Sequence, residues 1–426
     1  MEIRPIKQNE LFGRLPPEWP EDLLPEIQAQ VRASGRKVVV LDDDPTGTQT
    51  VHGVAVLTEW PVEVLADELR RDSPAVYLLT NSRGLTPRDA EELNAQTGAR
   101  LAAARQIGGG PDFAVVSRSD STLRGHFPGE VEALARGLGQ DFDAWLVIPF
   151  FIEGGRYTID DIHYVAEGPQ LTPAGQTEFA RDRVFGYRSS NLREWVAEKT
   201  GGRVNAADVA SISIADLRQG GPRRAARLLL DLPKGAICIC NAASYRDLEV
   251  LTAGLLQAEA AGRRCLYRTA ASFVRVRAGI APRPLLTPAD LPLAPQGAGL
   301  LVAGSYVPKT SAQLEALFSQ TSIARVEVQV ERLLQEGTRA HEIERVRQEA
   351  SRCLAEGRDT AVYTSRKLIG AEGIENNLAI GQTVSDSLSA IVRGLETRPR
   401  YLLAKGGITS SDTATRGLGI RRALVL

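Results

Sequence analysis

The sequence predicts an α/β protein made of two α/β domains with mostly parallel sheets and a cleft between them. Three observations predict it. Short β-branched runs alternate with helical patterns, as in βαβ units. Polar clusters follow those runs, where loops at the carboxyl edge of a parallel sheet would fall. The alternation is broken once by a proline-rich stretch and then resumes. At 426 residues the chain also exceeds what one hydrophobic core usually serves.

In chain order, residues 1–35 are polar, proline-dotted and weakly helical (PEDLLPEIQAQVRAS), an N-terminal arm packed on a domain. Residues 36–278 form the first domain. Its strands are RKVVVLDD, AVYLLTNSR, DFAVVSRSD, AWLVIPFF and GAICICNA, and its helices include PVEVLADELRRD, TPRDAEELNAQTGARLAAARQIG and GEVEALARGLG. Five prolines between 279 and 297 interrupt every period and fix an extended connector. Residues 298–426 form the second domain. GLLVAGSYVPKT, RVEVQVE, DTAVYTSR and RYLLAKGGITSSD read as strands with their loops, and SAQLEALF, TRAHEIERVRQEASRCLAEG and QTVSDSLSAIVRGLE as helices.

A formal net charge of −1 supplies no field for nucleic acid or an acidic membrane, so neither is expected as a partner. An anionic small molecule would need a local basic site. No apolar run approaches a membrane span and no cationic leader opens the chain, so the reading is a cytoplasmic protein. Cys238, Cys240, Cys265 and Cys353 make no CxxC or zinc-like spacing and read as reduced thiols, with Cys238 and Cys240 as core residues of one strand. His52, His126, His163 and His341 are too scattered for a metal triad. Trp60, Trp145 and Trp195 read as packing residues.

DDDPTGT, which ends the first strand, is the strongest chemical signal. Adjacent carboxylates disfavour one another's ionisation, so Asp42, Asp43 and Asp44 imply a compensating cation or a proton-transfer role. One reading is a phosphatase of the haloacid dehalogenase type. Asp42, Asp44 and Thr46 fit its DxDxT motif and Thr80 its second motif. Its lysine is missing, however, and its later acidic pair would fall in TIDDIHYV, which follows no long apolar strand.

Taken together, the motifs resemble the four-carbon acid sugar kinase family, ATP-dependent enzymes that phosphorylate threonate, erythronate or 3-oxo-tetronate. Asp43, Asp44, Thr46 and Gly47 match its DDxTG. Ser82 and Arg83 match its SR, and Asp120 to Gly125 (DSTLRG, with Ser121 and Arg124) match its most distinctive block. Gly155, Arg156 and His163 match a GR-to-H segment. In the second half Gly304 and Ser305 match a GS segment. Gly406, Gly407, Ile408 and Thr409 match its GG-x-T nucleotide loop. Pro45 and Thr48 depart from the usual DDLTGA. The resemblance implies a Gly/Pro-rich segment beyond ALVL that closes over the nucleotide, which keeps a catalytically impaired sugar-acid-binding homologue in view.

The resemblance implies ATP and Mg²⁺ as cofactors and a sugar acid as substrate. Phosphoryl transfer rests mainly on positioning and on neutralising oxygens. Asp43 or Asp44 is then the base for the terminal hydroxyl, and Arg124 balances transferring charge. Thr46, Gly47, Ser82, Arg83, Asp120, Ser121, Arg156 and His163 bind substrate, with guanidinium groups gripping its carboxylate. The chain has no GxxxxGK[ST] and no GxGxxG, so KGGITSSDTA becomes the phosphate-facing loop. A homodimer is the ordinary expectation for a metabolic enzyme of this size.

Overall fold

The runs KVVVLD, AVYLL and FAVVSR are apolar at nearly every position, as strands covered on both faces must be. In the computed structural model, which describes residues 3–107, 112–305, 307–366 and 374–426 (side chains of 374–379 and Ile408 excepted), they are neighbours. The chain divides into unit 1, Met1–Arg283 with Arg422–Leu426, and unit 2, Pro284–Arg421.

Unit 1 contains β1 (Ile6–Lys7), β2 (Lys37–Asp42), β3 (Ala55–Leu57), β4 (Ala75–Leu79), β5 (Phe113–Arg118) and β6 (Ala144–Ile148). It continues with β7 (Arg156–Ile159), β8 (Ile162–Glu167), β9 (Gln170–Pro173), β10 (Ala210–Ile212), β11 (Ala236–Cys240) and β12 (Cys265–Thr269). Eight of these form one parallel sheet in the order β10-β11-β6-β12-β5-β2-β4-β3. Alternation along β2 divides the interior: Val38 and Val40 enter one core, Val39 and Leu41 the other. The four cysteines are free and buried.

From β2 the chain goes to β3 and β4 on one side and then crosses to β5 on the other. The carboxyl end of β2 is therefore a topological switch point, where open parallel sheets bind ligands. An antiparallel sheet, β1-β9-β8-β7, follows β6. The N-terminal residues are woven into unit 1: Ile6 pairs with Leu171, and Leu11, Leu23, Ile27 and Val31 join a core.

Unit 2 holds the parallel sheet β14-β15-β13-β16, from β13 (Leu300–Ala303), β14 (Ala324–Val328), β15 (Thr360–Thr364) and β16 (Leu402–Lys405). Helices Glu336–Ala355 and Ile374–Arg393 are its longest, and Val302, Val326, Val346 and Ile391 share its core. One feature departs from the expected boundary. β17 (Arg422–Leu424) pairs antiparallel with β3 and so belongs to unit 1. Val425 exchanges backbone hydrogen bonds with Gly53 and Val54 and packs on a unit 1 core, so an apolar ending satisfies an otherwise open sheet edge. No helix among the described residues is long and apolar enough to cross a membrane.

Candidate functional site

β2 ends on Asp42 and β5 on Arg118, which stand opposite each other in register. Arg118 thereby reaches the whole acidic run: its Nη1 lies 3.0 Å from Asp42 Oδ1, 3.5 Å from Asp43 Oδ1 and 3.0 Å from Asp44 Oδ1. The second cation is Arg83, from the loop after β4. It grips Asp43 through Nη2 (2.5 Å) and Nε (3.1 Å) and meets Asp44 Oδ2 through Nη1 at 2.5 Å. Crowding like charges is tolerable because two guanidinium groups are interleaved with three carboxyls.

The three carboxyls are not equivalent. Asp42 is 2% exposed, and burial, only partly offset by Arg118, pushes its carboxyl up to about 7. It lies so close to Gly47 that a Cβ there would fall 2.1 Å from Asp42 Oδ2, so Gly47 is a packing requirement of the turn. Burial also raises Asp43, against the pull of Arg83 and Arg118. Asp44 is the outermost, with 21% of its side chain exposed against 3% for Asp43. Burial would raise it too, but Arg118, Arg83 and the N–H and hydroxyl of Thr46 outweigh that and hold it below the usual carboxylate range. It is the ionised, accessible acceptor of the three. A phosphatase of the dehalogenase type would need Asp42 as an exposed nucleophile, and its burial argues against that chemistry.

The loops after β4 and β5 bend sharply. Asn81 (φ 51°) and Leu123 (φ 71°) occupy the left-handed region that non-glycine residues disfavour. Ser82 is buried against Thr80 (3.1 Å) and bonds to the buried Glu130, whose carboxyl burial raises to about 7. In DSTLRG, Asp120 Oδ2 accepts from Arg124 Nε at 2.7 Å and from the Thr122 hydroxyl. Burial opposes ionisation of Asp120, but Arg83 and Arg124 prevail and keep it ionised. Arg156 opens β7 and shares the ring of Phe179 with Arg124.

His163 is fully buried, its Nδ1 3.0 Å from the Thr158 hydroxyl and its Nε2 2.7 Å from the Ser121 carbonyl. Burial lowers it to about 4, so it is a neutral imidazole bound to the DSTLRG backbone through the Ser121 carbonyl. Gly47, Ser82 and His163 are thus placed as supports, while Asp44, Thr46, Arg83, Asp120, Arg124 and Arg156 retain some exposure.

Residues missed in the sequence complete this edge. Arg268, on β12, is fully buried and donates through Nη2 to the carbonyls of Asp120 (3.0 Å) and Arg124 (3.1 Å), with Trp195 beneath it at 5.4 Å. Tyr187 donates its hydroxyl to the Thr122 carbonyl at 2.7 Å. Arg118 and Arg268 had one visible signal, a cation inside an otherwise apolar strand. Such a residue seldom stays buried without an assignment.

In unit 2, β13 and β16 are parallel neighbours with Ala303 opposite Lys405, so the loops that follow emerge at one edge. Gly304 and the Thr409 side chain pack closely: a Cβ on Gly304 would lie 2.4 Å from Thr409 Oγ1. Gly406 takes φ 108°, a conformation for glycine alone, and Gly407 begins a short helix, Gly407–Asp412. Ser305 donates no charge, but its carbonyl accepts from Arg366 Nη1 at 2.7 Å. The Ile408 side chain lies outside the described residues.

Asp42, Asp43 and Asp44 can present oxygens within 4.8 Å of one another, the spacing of a cation site. Arg118 already occupies that focus. Of the three, only Asp44 has the exposure to meet a hydrated divalent ion.

Two family models match the chain. Residues 38–277 match the family model described as a sugar-binding N-terminal domain, and residues 300–426 the one described as a nucleotide-binding C-terminal domain. A curated relative, D-erythronate kinase of Heliobacterium modesticaldum, is 28% identical over 321 residues, 72% of this chain. The chain spans 66% of that relative's length. Two solved structures share the fold. A Haemophilus influenzae protein of the family DUF1537 has TM-score 0.62 and 16% identity over 90% of this chain and 89% of its own. A protein from Salmonella typhimurium LT2 has TM-score 0.63 and 16% identity over 91% and 89%.

Proposed function

Because the chain belongs to the four-carbon acid sugar kinase family, we propose that it transfers the γ-phosphoryl group of ATP to the terminal hydroxyl of a four-carbon sugar acid, such as erythronate, threonate or 3-oxo-tetronate. Support for erythronate comes from the curated relative, which is named a D-erythronate kinase. The observation that carries the reading is the placement of Asp44: ionised, the most exposed of three carboxyls, and flanked by Arg83 and Arg118.

In this reading Asp44 accepts the hydroxyl proton as the oxygen attacks phosphorus. Asp43 holds Arg83 in a fixed fork, and Arg83 balances the charge that gathers on the phosphoryl oxygens. Asp120 orients Arg124 and substrate hydroxyls. Thr46 fixes the Asp44 rotamer, and Gly47, Ser82, Ser121 and His163 shape the loops. Gly304, Ser305, Gly406, Gly407, Ile408 and Thr409 form the ATP loops of unit 2, where glycine backbone N–H groups can approach phosphates. Mg²⁺, when bound, neutralises phosphate oxygens of ATP, and Asp44 is the residue that would meet its waters.

The test is ADP release with ATP, Mg²⁺ and a panel of four-carbon acids. Acid-dependent ADP formation that is lost in Asp44→Asn supports the reading. Acid binding without ADP formation would instead identify a sugar-acid-binding homologue, and phosphate release from a phosphorylated acid without ATP would overturn the kinase.

A further inference from the structure

Two guanidinium groups at this edge make no ion pair among the described residues: Arg268, which is fully enclosed and donates to the Asp120 and Arg124 carbonyls, and Arg156, which is partly exposed. Arg83 and Arg118 are matched to Asp42, Asp43 and Asp44, and Arg124 to Asp120, with Asp182 3.7 Å from its Nη1. Arg156 makes no ion pair among the described residues, and its Nε is buried with no hydrogen-bond partner. Holding a guanidinium half-buried in this state is unfavourable unless something else compensates it. What it has is an aromatic face. The Cζ of Arg156 lies 5.5 Å from the centroid of Phe179, and that of Arg124 lies 5.2 Å from the same centroid. Phe179 stands in the short turn Glu178–Arg181 that follows β9, so the antiparallel insertion brings it to the edge that carries DSTLRG.

A ring face attracts a cation but accepts no N–H in the plane of the guanidinium. Two guanidinium groups held on one ring therefore keep in-plane donors for a further acceptor. Their mutual repulsion is relieved best by an anion that both can reach. We propose that Arg124, Arg156 and Phe179 form the subsite for the carboxylate of the substrate, and that Phe179 sets the preference for sugar acids over neutral polyols. This rests on the sugar-acid reading above and assigns its anion-recognition step to specific groups. A neutral tetritol would leave Arg156 unpaired, whereas a carboxylate gains two charge-assisted bonds.

The test is calorimetric binding of D-erythronate and of neutral erythritol to the full chain and to Arg156→Gln, Arg156→Lys, Phe179→Leu and Phe179→Tyr. Removing Arg156 should weaken D-erythronate by about 10- to 100-fold, and removing the ring by about 3- to 30-fold. Erythritol binding should stay where it is, and Phe179→Tyr should restore the acid preference. The inference is overturned if acid and polyol weaken together, or if Arg156→Gln leaves the acid affinity unchanged. Should Phe179→Leu fail to fold, Phe179→Tyr and the Arg156 variants decide it by the same criteria. ADP formation is read separately. Its absence with every acid in the unaltered protein would refute the kinase but leave the binding result, and so this subsite, to be judged independently.

Discussion

Asp42→Asn separates a structural carboxyl from a reacting one. In the folded protein burial lifts Asp42 to about 7, from an ordinary value of 3.8. The sign follows directly. Between those values the folded state binds the proton and the unfolded state does not, so stability contributed by this group falls as pH rises from about 4 to 7. A rise of about three pH units corresponds to roughly 4 kcal/mol in all. Roughly 2–3 kcal/mol of it should appear between pH 5 and pH 8. Asparagine keeps the shape and the acceptor for Arg118, which also retains Asp44 at 3.0 Å and Asp43 at 3.5 Å, and it has no proton to lose. Relative to the unaltered protein, Asp42→Asn should therefore gain stability as pH rises. Buried His163, lowered to about 4, works in the opposite direction over this range but is common to both proteins and cancels in the difference. Urea unfolding followed by tryptophan fluorescence reads unit 1 alone, because Trp19, Trp60, Trp145 and Trp195 all lie there. A difference between the two proteins that stays flat from pH 5 to pH 8 would refute the burial argument. Loss of ADP formation in a folded Asp42→Asn would make Asp42 a reacting group.

Asp44→Asn should lower kcat by at least about 100-fold while calorimetry shows the sugar acid still bound, since the base is lost and the arginines remain. Arg83→Lys removes the two-pronged grip on Asp43 and the contact with Asp44; kcat/KM measured across the acid panel should drop about 10-fold or more. Gly304→Ala forces a methyl to within 2.4 Å of Thr409 Oγ1 and 2.9 Å of Leu388 Cδ1. Unit 2 should lose about 1–3 kcal/mol, and ADP should bind more weakly by calorimetry with sugar-acid affinity unchanged.

The difference between what could and could not be read in the sequence follows from range. The parallel sheet was legible because each strand announces itself locally, by a β-branched run that ends in a polar cluster. Asp43, Asp44, Arg83 and DSTLRG were legible for the same reason, since each lies within a few residues of its strand's end. The depth of His163 was not legible because its neighbours in the chain say nothing of it; the pairing of β7 with β8 and the Ser121 carbonyl enclose it. The partners that hold these groups come from farther away. Arg118 stands 74 residues from Asp44, and Arg268 stands 148 residues from Asp120. They meet because β5 lies between β2 and β12 in the sheet, an order that no local pattern encodes.

That order also explains why charge could accumulate in DDDPTGT at all. A triplet of carboxyls at a strand end is tolerable only if the adjacent strand ends on a cation in register, and Asp42 opposite Arg118 meets that condition. Once met, the three positions cannot remain equal. The strand residue is drawn inside with its proton, the middle one is committed to Arg83, and the last stays ionised with access to solvent. A DxDxT phosphatase would need the first position outermost. Here the twist of the chain past Pro45, with Gly47 folded back onto Asp42, turns the first position inward. The spacing alone is compatible with either chemistry, and the burial of Asp42 favours the kinase.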